Sequence, residues 1–177
     1  MSMNTLLMGL RGCGKSTIGR RLAELQRRPF IELDERVLAT FAASSVHAAW
    51  AVHGEDAWRD AEVRMLTKTL DADDQVVALG GGTPIIPAAR QRIAAQQRAG
   101  RAKVIYLRCA TDELVRRLAH EPGDRPSLTQ GDPAQETAAV LAQREPTYRE
   151  LADLEYDVTD TAPEEAAKGL IELAFRE

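Results

Sequence analysis

Gly9-Leu10-Arg11-Gly12-Cys13-Gly14-Lys15-Ser16 is the stretch on which the fold turns. It matches G-x-x-x-x-G-K-[ST], and its context is the one this pattern needs: a short apolar run (Thr5 to Met8) before it and a helical pattern after it. Glycines allow a chain to curl so that successive backbone N–H groups converge on phosphate oxygens, and the start of the following helix adds its positive end. Gly12, Cys13, Gly14, Lys15, Ser16 and Thr17 are therefore the candidate nucleotide-binding residues. In such a loop Lys15 reaches the β- and γ-phosphates of ATP, and the Ser16 hydroxyl ligates Mg²⁺. Cys13 fills a free position of the pattern.

Outward from the loop, apolar runs alternate with helical periodicity. Lys15 to about Arg27 reads as a helix that ends before Pro29. Phe30 to Leu33 reads as a second strand. Asp34 to about Leu70 is helical with a junction at Gly54-Glu55. Val76 to Leu79 is a third strand and runs into Gly80-Gly81-Gly82. A helix from Pro87 to Arg98, a strand at Val104 to Leu107 and a helix from Asp112 to His120 follow. The breaker-dense stretch Glu121 to Pro126 reads as an exposed loop. A long helix, a strand near Glu155 to Val158 and a helix from Pro163 complete the chain. Strands of this kind imply a parallel sheet covered on both faces, with ligands at the carboxyl ends of its strands.

The chain has 177 residues, enough for one domain. With 44% hydrophobic and 28% charged residues it has the balance of a folded globular protein. A net charge of -4 and 5% aromatic residues argue against a nucleic-acid partner. No apolar window is long enough for a membrane span, and Met1 to Gly12 lacks the layout of a secretory leader. Two cysteines and three dispersed histidines suggest neither a disulfide framework nor a zinc site. The expectation is a cytoplasmic protein without nucleic-acid or membrane partners. Of the 23 basic residues 19 are Arg, so a single Arg carries meaning only inside a motif.

Glu32 and Asp34 stand two apart at the end of the second predicted strand, which would turn both side chains to one face. There one carboxylate can hold a metal while the other accepts the proton of an attacking hydroxyl. Asp34 could equally cap the next helix.

Six motifs in order resemble the shikimate kinase family over nearly the whole chain. They are GLRGCGKST (Gly9 to Thr17), FIELDE (Phe30 to Glu35), HGEDAWRDAE (His53 to Glu62), LGGGTP (Leu79 to Pro84), GDRPSL (Gly123 to Leu128) and QREPTYR (Gln143 to Arg149). The resemblance implies a single α/β P-loop domain whose five-stranded parallel sheet has the order 2-3-1-4-5. It further implies transfer of the γ-phosphate of MgATP to the 3-hydroxyl of shikimate; the small size and acidic surface of the chain fit a monomer. Residues 34–72 would form a helical acceptor-binding insert and residues 121–132 a lid. By the same resemblance Asp34 is the candidate base, and Glu32 takes the acidic position associated with Mg²⁺, where the family carries the shorter Asp. Arg59 and Arg144 would clamp the substrate carboxylate, a task suited to planar bidentate donors. Gly80, Gly81 and Gly82 would belong to the acceptor site, Arg125 would come with the lid to the transferred phosphate, and Arg117 would stack on adenine, with Arg116 its competitor. Trp50 and Trp58 stand where the family often has Phe. Core packing of the insert and a reshaped pocket are both open readings for them. A gluconate- or nucleoside-monophosphate-kinase type of enzyme, and a nucleotide-binding regulatory module without catalysis, are the rival readings.

Overall fold

Residues 3–120 and 133–175 are described by a computed structural model. Five parallel strands form its sheet: β1 (Asn4–Met8), β2 (Phe30–Glu32), β3 (Val76–Ala78), β4 (Ala102–Arg108) and β5 (Leu154–Asp157), in the order β2-β3-β1-β4-β5. Seven helices accompany them among the described residues: α1 (Lys15–Gln26), α2 (Leu33–Leu38), α3 (Val46–Thr69), α4 (Pro87–Arg98), α5 (Thr111–His120), α6 (Pro133–Leu151) and α7 (Pro163–Ala174).

The pleat divides the apolar residues of each strand between two cores. Leu6 and Met8 of β1 join Val77, Val104 and Tyr106 and side chains of α2, α3, α4 and α6 on one face. Leu7 joins Val76, Ile105 and Leu107 and side chains of α1, α5 and α7 on the other. Both faces are thus covered, which is why the strands read as continuous apolar runs rather than as alternation.

The sequence-based element order holds, with one local difference beside the cleft. β2 stops at Glu32, and Leu33 and Asp34 already belong to α2. Leu33 is fully buried in the first core, so its packing is met equally well by a helix start, which periodicity over four residues does not separate from a strand end. The predicted junction at Gly54 is real: inside α3 this residue has φ 82° and ψ 165°, and the helix breaks there. Trp50 and Arg59 therefore lie on opposite sides of the break.

β1 has β3 on one side and β4 on the other, with Leu7 opposite both Ala78 and Ile105. Chain order reverses at this strand, and the crevice beyond it is where a sheet of this kind takes ligands. The phosphate loop leaves β1 beside the Gly80–Gly82 segment leaving β3, and Leu79 donates to the Leu7 carbonyl where the two diverge, at 2.9 Å.

Candidate active site

The loop after β1 is built as the motif requires. Gly14 caps α1 with φ 96°, a left-handed conformation that side-chain-bearing residues avoid, and as the cap it offers no side chain to the helix's first N–H groups. Gly9 sits so close to β4 that a Cβ would meet the Leu107 carbonyl at 2.6 Å and Cys13 Sγ at 2.8 Å. The Lys15 ammonium donates to the carbonyls of Gly9 and Leu10, both at 3.0 Å, so it is held within the curl of the loop.

This loop floors a cleft of about 1060 Å³, at the upper end of ligand pockets and large enough for two small molecules. Gly12, Gly14, Lys15, Ser16, Thr17 and Arg117 line one half, together with residues 159–163. The other half is walled by Glu32, Asp34, Trp50, Arg59, Gly81 and Arg144. Cys13, Gly80 and Gly82 do not line it. The Cys13 side chain is buried in the second core, where its Sγ accepts from Lys15 Nζ at 3.8 Å. Arg125 and the predicted lid 121–132 lie outside the described residues.

Although Asp34 is helical rather than in a strand, it shares the cleft wall with Glu32, because the turn from β2 into α2 brings the two carboxylates to one side. Burial pushes the Glu32 carboxyl above its usual range, against a hydrogen bond from Ser16 and the nearby Lys15 charge. Its Oε2 is buried with no hydrogen-bond partner among the described residues. A buried carboxylate oxygen beside a hydroxyl, next to a phosphate loop, is hard-donor chemistry that suits Mg²⁺. No group of three His, Cys, Asp or Glu side chains able to hold a metal exists among the described residues. The fit is accordingly that of an ion held by one or two protein oxygens together with phosphates and water.

Arg59 is oriented from three directions. Its Nη1 pairs with Glu62 at 2.6 Å, its Nη2 pairs with Glu55 at 2.8 Å, and its guanidinium lies 5.6 Å from the centre of the Trp50 ring. Burial works against the Arg59 charge, but Glu62 and Glu55 outweigh it and hold the guanidinium above its usual range. Glu62 is fully buried, and Thr83 donates to its other oxygen at 2.7 Å. Glu62 is a site residue that motif reading passed over. The signal was its place three residues after Arg59, one turn along the same helix face.

Gly80 and Gly82 act through what they leave out. A Cβ on Gly80 would meet Asp34 Oδ1 at 2.5 Å, Glu62 Oε1 at 2.8 Å and Thr83 Oγ1 at 2.8 Å; one on Gly82 would collide with the Arg59 guanidinium. The two glycines admit the protein's own charged side chains, whereas Gly81 between them faces the cleft.

The tryptophans separate into both open readings. Trp58 is core, 1% exposed and stacked on Phe41 with ring centres 5.7 Å apart, whereas Trp50 is cleft wall. In the half of the cleft beside α1, Arg117 donates to the carbonyls of Val158 and Thr159, each at 3.0 Å, and to Glu113 at 2.6 Å. Arg116 binds the same carboxylate at 2.7 Å and is more exposed. Together they hold the Glu113 carboxyl down at about 2.

A phosphate loop and a separate acidic and basic pocket, opening on one cleft at the switch point of a parallel sheet, define a P-loop kinase acting on a small molecule. The family model described as shikimate kinase matches residues 11–174. A shikimate kinase of Xanthomonas oryzae pv. oryzae (strain PXO99A) is 36% identical over 168 residues, 95% of this chain and 89% of that relative. One of Stenotrophomonas maltophilia (strain R551-3) is 36% identical over 173 residues, 98% of this chain and 91% of that relative. The solved structure of a shikimate kinase from Acinetobacter baumannii in complex with shikimate superposes with a TM-score of 0.88 at 28% identity, covering 98% of this chain and 93% of that one. The chain belongs to the shikimate kinase family, and it is an ATP-dependent kinase.

Proposed function

We propose that the two halves of the cleft divide the reaction MgATP plus shikimate to ADP plus shikimate 3-phosphate between them. The loop amides and Lys15 hold the β- and γ-phosphates, and Arg117 with residues 159–163 walls the adenosine. Ser16 and Glu32 are the residues that would hold Mg²⁺, which when bound would offset the charge of the phosphates. Asp34 accepts a hydrogen bond from the attacking hydroxyl and takes its proton as the phosphoryl group moves. Arg59 and Arg144 bind the acceptor carboxylate. Glu62 and Glu55 keep Arg59 from turning aside, so little reorganisation remains for the substrate to drive. Arg125, by resemblance, comes to the transferred phosphate. The chain acts as a cytoplasmic monomer; no helix among the described residues is long and apolar enough to cross a membrane.

One observation carries the assignment: a carboxylate, Asp34, and two guanidinium groups, Arg59 and Arg144, wall one cleft with the phosphate loop as its floor. That combination recognises a hydroxylated carboxylate more readily than a nucleotide base or a neutral sugar. The test is acceptor-dependent ADP release with MgATP, comparing shikimate with quinate, gluconate and nucleoside monophosphates. Turnover on shikimate is the expected result. ATP binding with no turnover on shikimate would overturn the reading, in favour of another acceptor if one of the others is phosphorylated and of a silent binding module if none is.

A further inference from the structure

Tyr148 of α6 is fully buried, and its ring packs on Tyr106 of β4 with ring centres 5.3 Å apart. Its hydroxyl donates to the carbonyl of Gly81, the one glycine of its segment that faces the cleft. Arg144 lies four residues earlier, one turn along the same helix face. A Cβ on Gly81 would stand 3.6 Å from Arg144 Nη1, so the guanidinium and the hydroxyl meet the same glycine from successive turns.

Two further features bear on how that contact is used. Pro146 stands between the two residues and has no N–H for the carbonyl one turn back. The helix is therefore less constrained there by its own ladder, and its height against the glycine segment depends on outside contacts. A peptide unit is also planar, so holding the Gly81 carbonyl sets the direction of the Gly82 N–H, on the side away from Tyr148. Tyr106 directs its own hydroxyl elsewhere, donating to Glu145 at 3.3 Å rather than to the glycine segment.

We propose that Tyr148 is a positioning residue for the acceptor: its hydroxyl locks the Gly81–Gly82 peptide to α6 and so fixes the distance between Arg144 and the glycine turn into which the acceptor carboxylate fits. The inference rests on the assignment of Arg144 and the glycine segment to the acceptor half. Tyr148 touches no reacting atom, and its part is to hold the groups that do the binding.

Tyr148→Phe removes the hydroxyl and keeps the ring that fills the core. The KM for shikimate should rise roughly 3- to 10-fold, the scale of one neutral hydrogen bond, with the KM for ATP and the thermal midpoint nearly unchanged. Tyr106→Phe removes the neighbouring hydroxyl from the same ring pair and should leave the shikimate KM where it is. An unchanged shikimate KM in Tyr148→Phe overturns the proposal, and so does an equal rise in both KM values or a fall in the thermal midpoint alone, since each marks a packing role. Arg144→Ala measured alongside separates this inference from the reading beneath it. An unaltered shikimate KM in that variant removes the carboxylate clamp and the proposal with it; a large rise there, with no change in Tyr148→Phe, overturns the proposal alone.

Discussion

At the amino ends of β1 and β3, polar side chains use up one another's hydrogen bonds; at the carboxyl ends of the same strands they face a cleft. In the first region Asn4 donates to the Ala72 carbonyl at 2.7 Å and accepts from the Gln75 N–H at 3.0 Å. Arg28 spreads its guanidinium over Met3, Thr5, Gln75 and Asp74. Burial lowers the Arg28 pKa from its ordinary value, against the pull of Asp74, so the network rather than solvent keeps this cation satisfied. In the second region Glu32 has a buried oxygen without a hydrogen-bond partner among the described residues, and Lys15 is held by carbonyls of its own glycine-rich loop. Buried groups paired by hydrogen bonds and ion pairs within the protein hold a fold together, whereas buried groups left to face a cavity are held ready for a ligand at some cost to stability.

Changes at the two ends should therefore separate into loss of activity and loss of stability. The largest expected effect is at the carboxyl end: Asp34→Asn should lower kcat by at least about 100-fold, the scale of a lost general base, while nucleotide binding measured by titration is retained. Full activity in that variant would remove Asp34 from the mechanism. At the amino end, Arg28→Ala removes a donor from Met3, Thr5 and Gln75 and an ion-pair partner from Asp74 and should cost about 2 kcal/mol, or roughly 5 °C in thermal midpoint for a chain of this length. Its KM values should stay at wild-type levels; a selective rise in either would show that the two ends are coupled. Gly82→Ala sharpens the contrast from within the site. Its new Cβ falls on an Arg59 already held by Glu55 and Glu62, so the shikimate KM should rise roughly 10-fold and the ATP KM should not. The smallest effect concerns Glu113, whose carboxyl is held at about 2 by Arg116 and Arg117. A depressed carboxylate adds stability above its unfolded pKa and loses it as pH falls from about 4.5 toward 2. Glu113→Gln should melt about 1 °C below the wild type at pH 7, a gap that closes in this acid window and shrinks in high salt.

Much of this was legible in the chain because it depends on local pattern. The phosphate loop is contiguous, and the positive φ of Gly14 follows from where a helix must begin after a tight curl. Gly54 announced its helix break by residue type alone. Asp34, Arg59 and Arg144 were reached through motif order, and all three line one cleft. Glu62 and Tyr148 were not singled out, although both lie within quoted motifs. A buried carboxylate and a buried hydroxyl look like any surface Glu or core Tyr until their partners, Thr83 and Gly81, arrive from another part of the chain. The same limit applied to Gly80 and Gly82, whose missing side chains make room for Asp34, Glu62 and Arg59.

By itself, then, the sequence determined the phosphate-binding chemistry, the alternation of strand and helix, and the membership of a kinase family, because these reside in short-range spacing and in the order of motifs. Only the tertiary structure decided which carboxylates and guanidinium groups are paired with one another, which of two tryptophans is wall and which is core, and where β2 gives way to α2. Those outcomes depend on which side chains from distant segments compete for the same buried space, and periodicity along one segment carries no information about the partner that meets it.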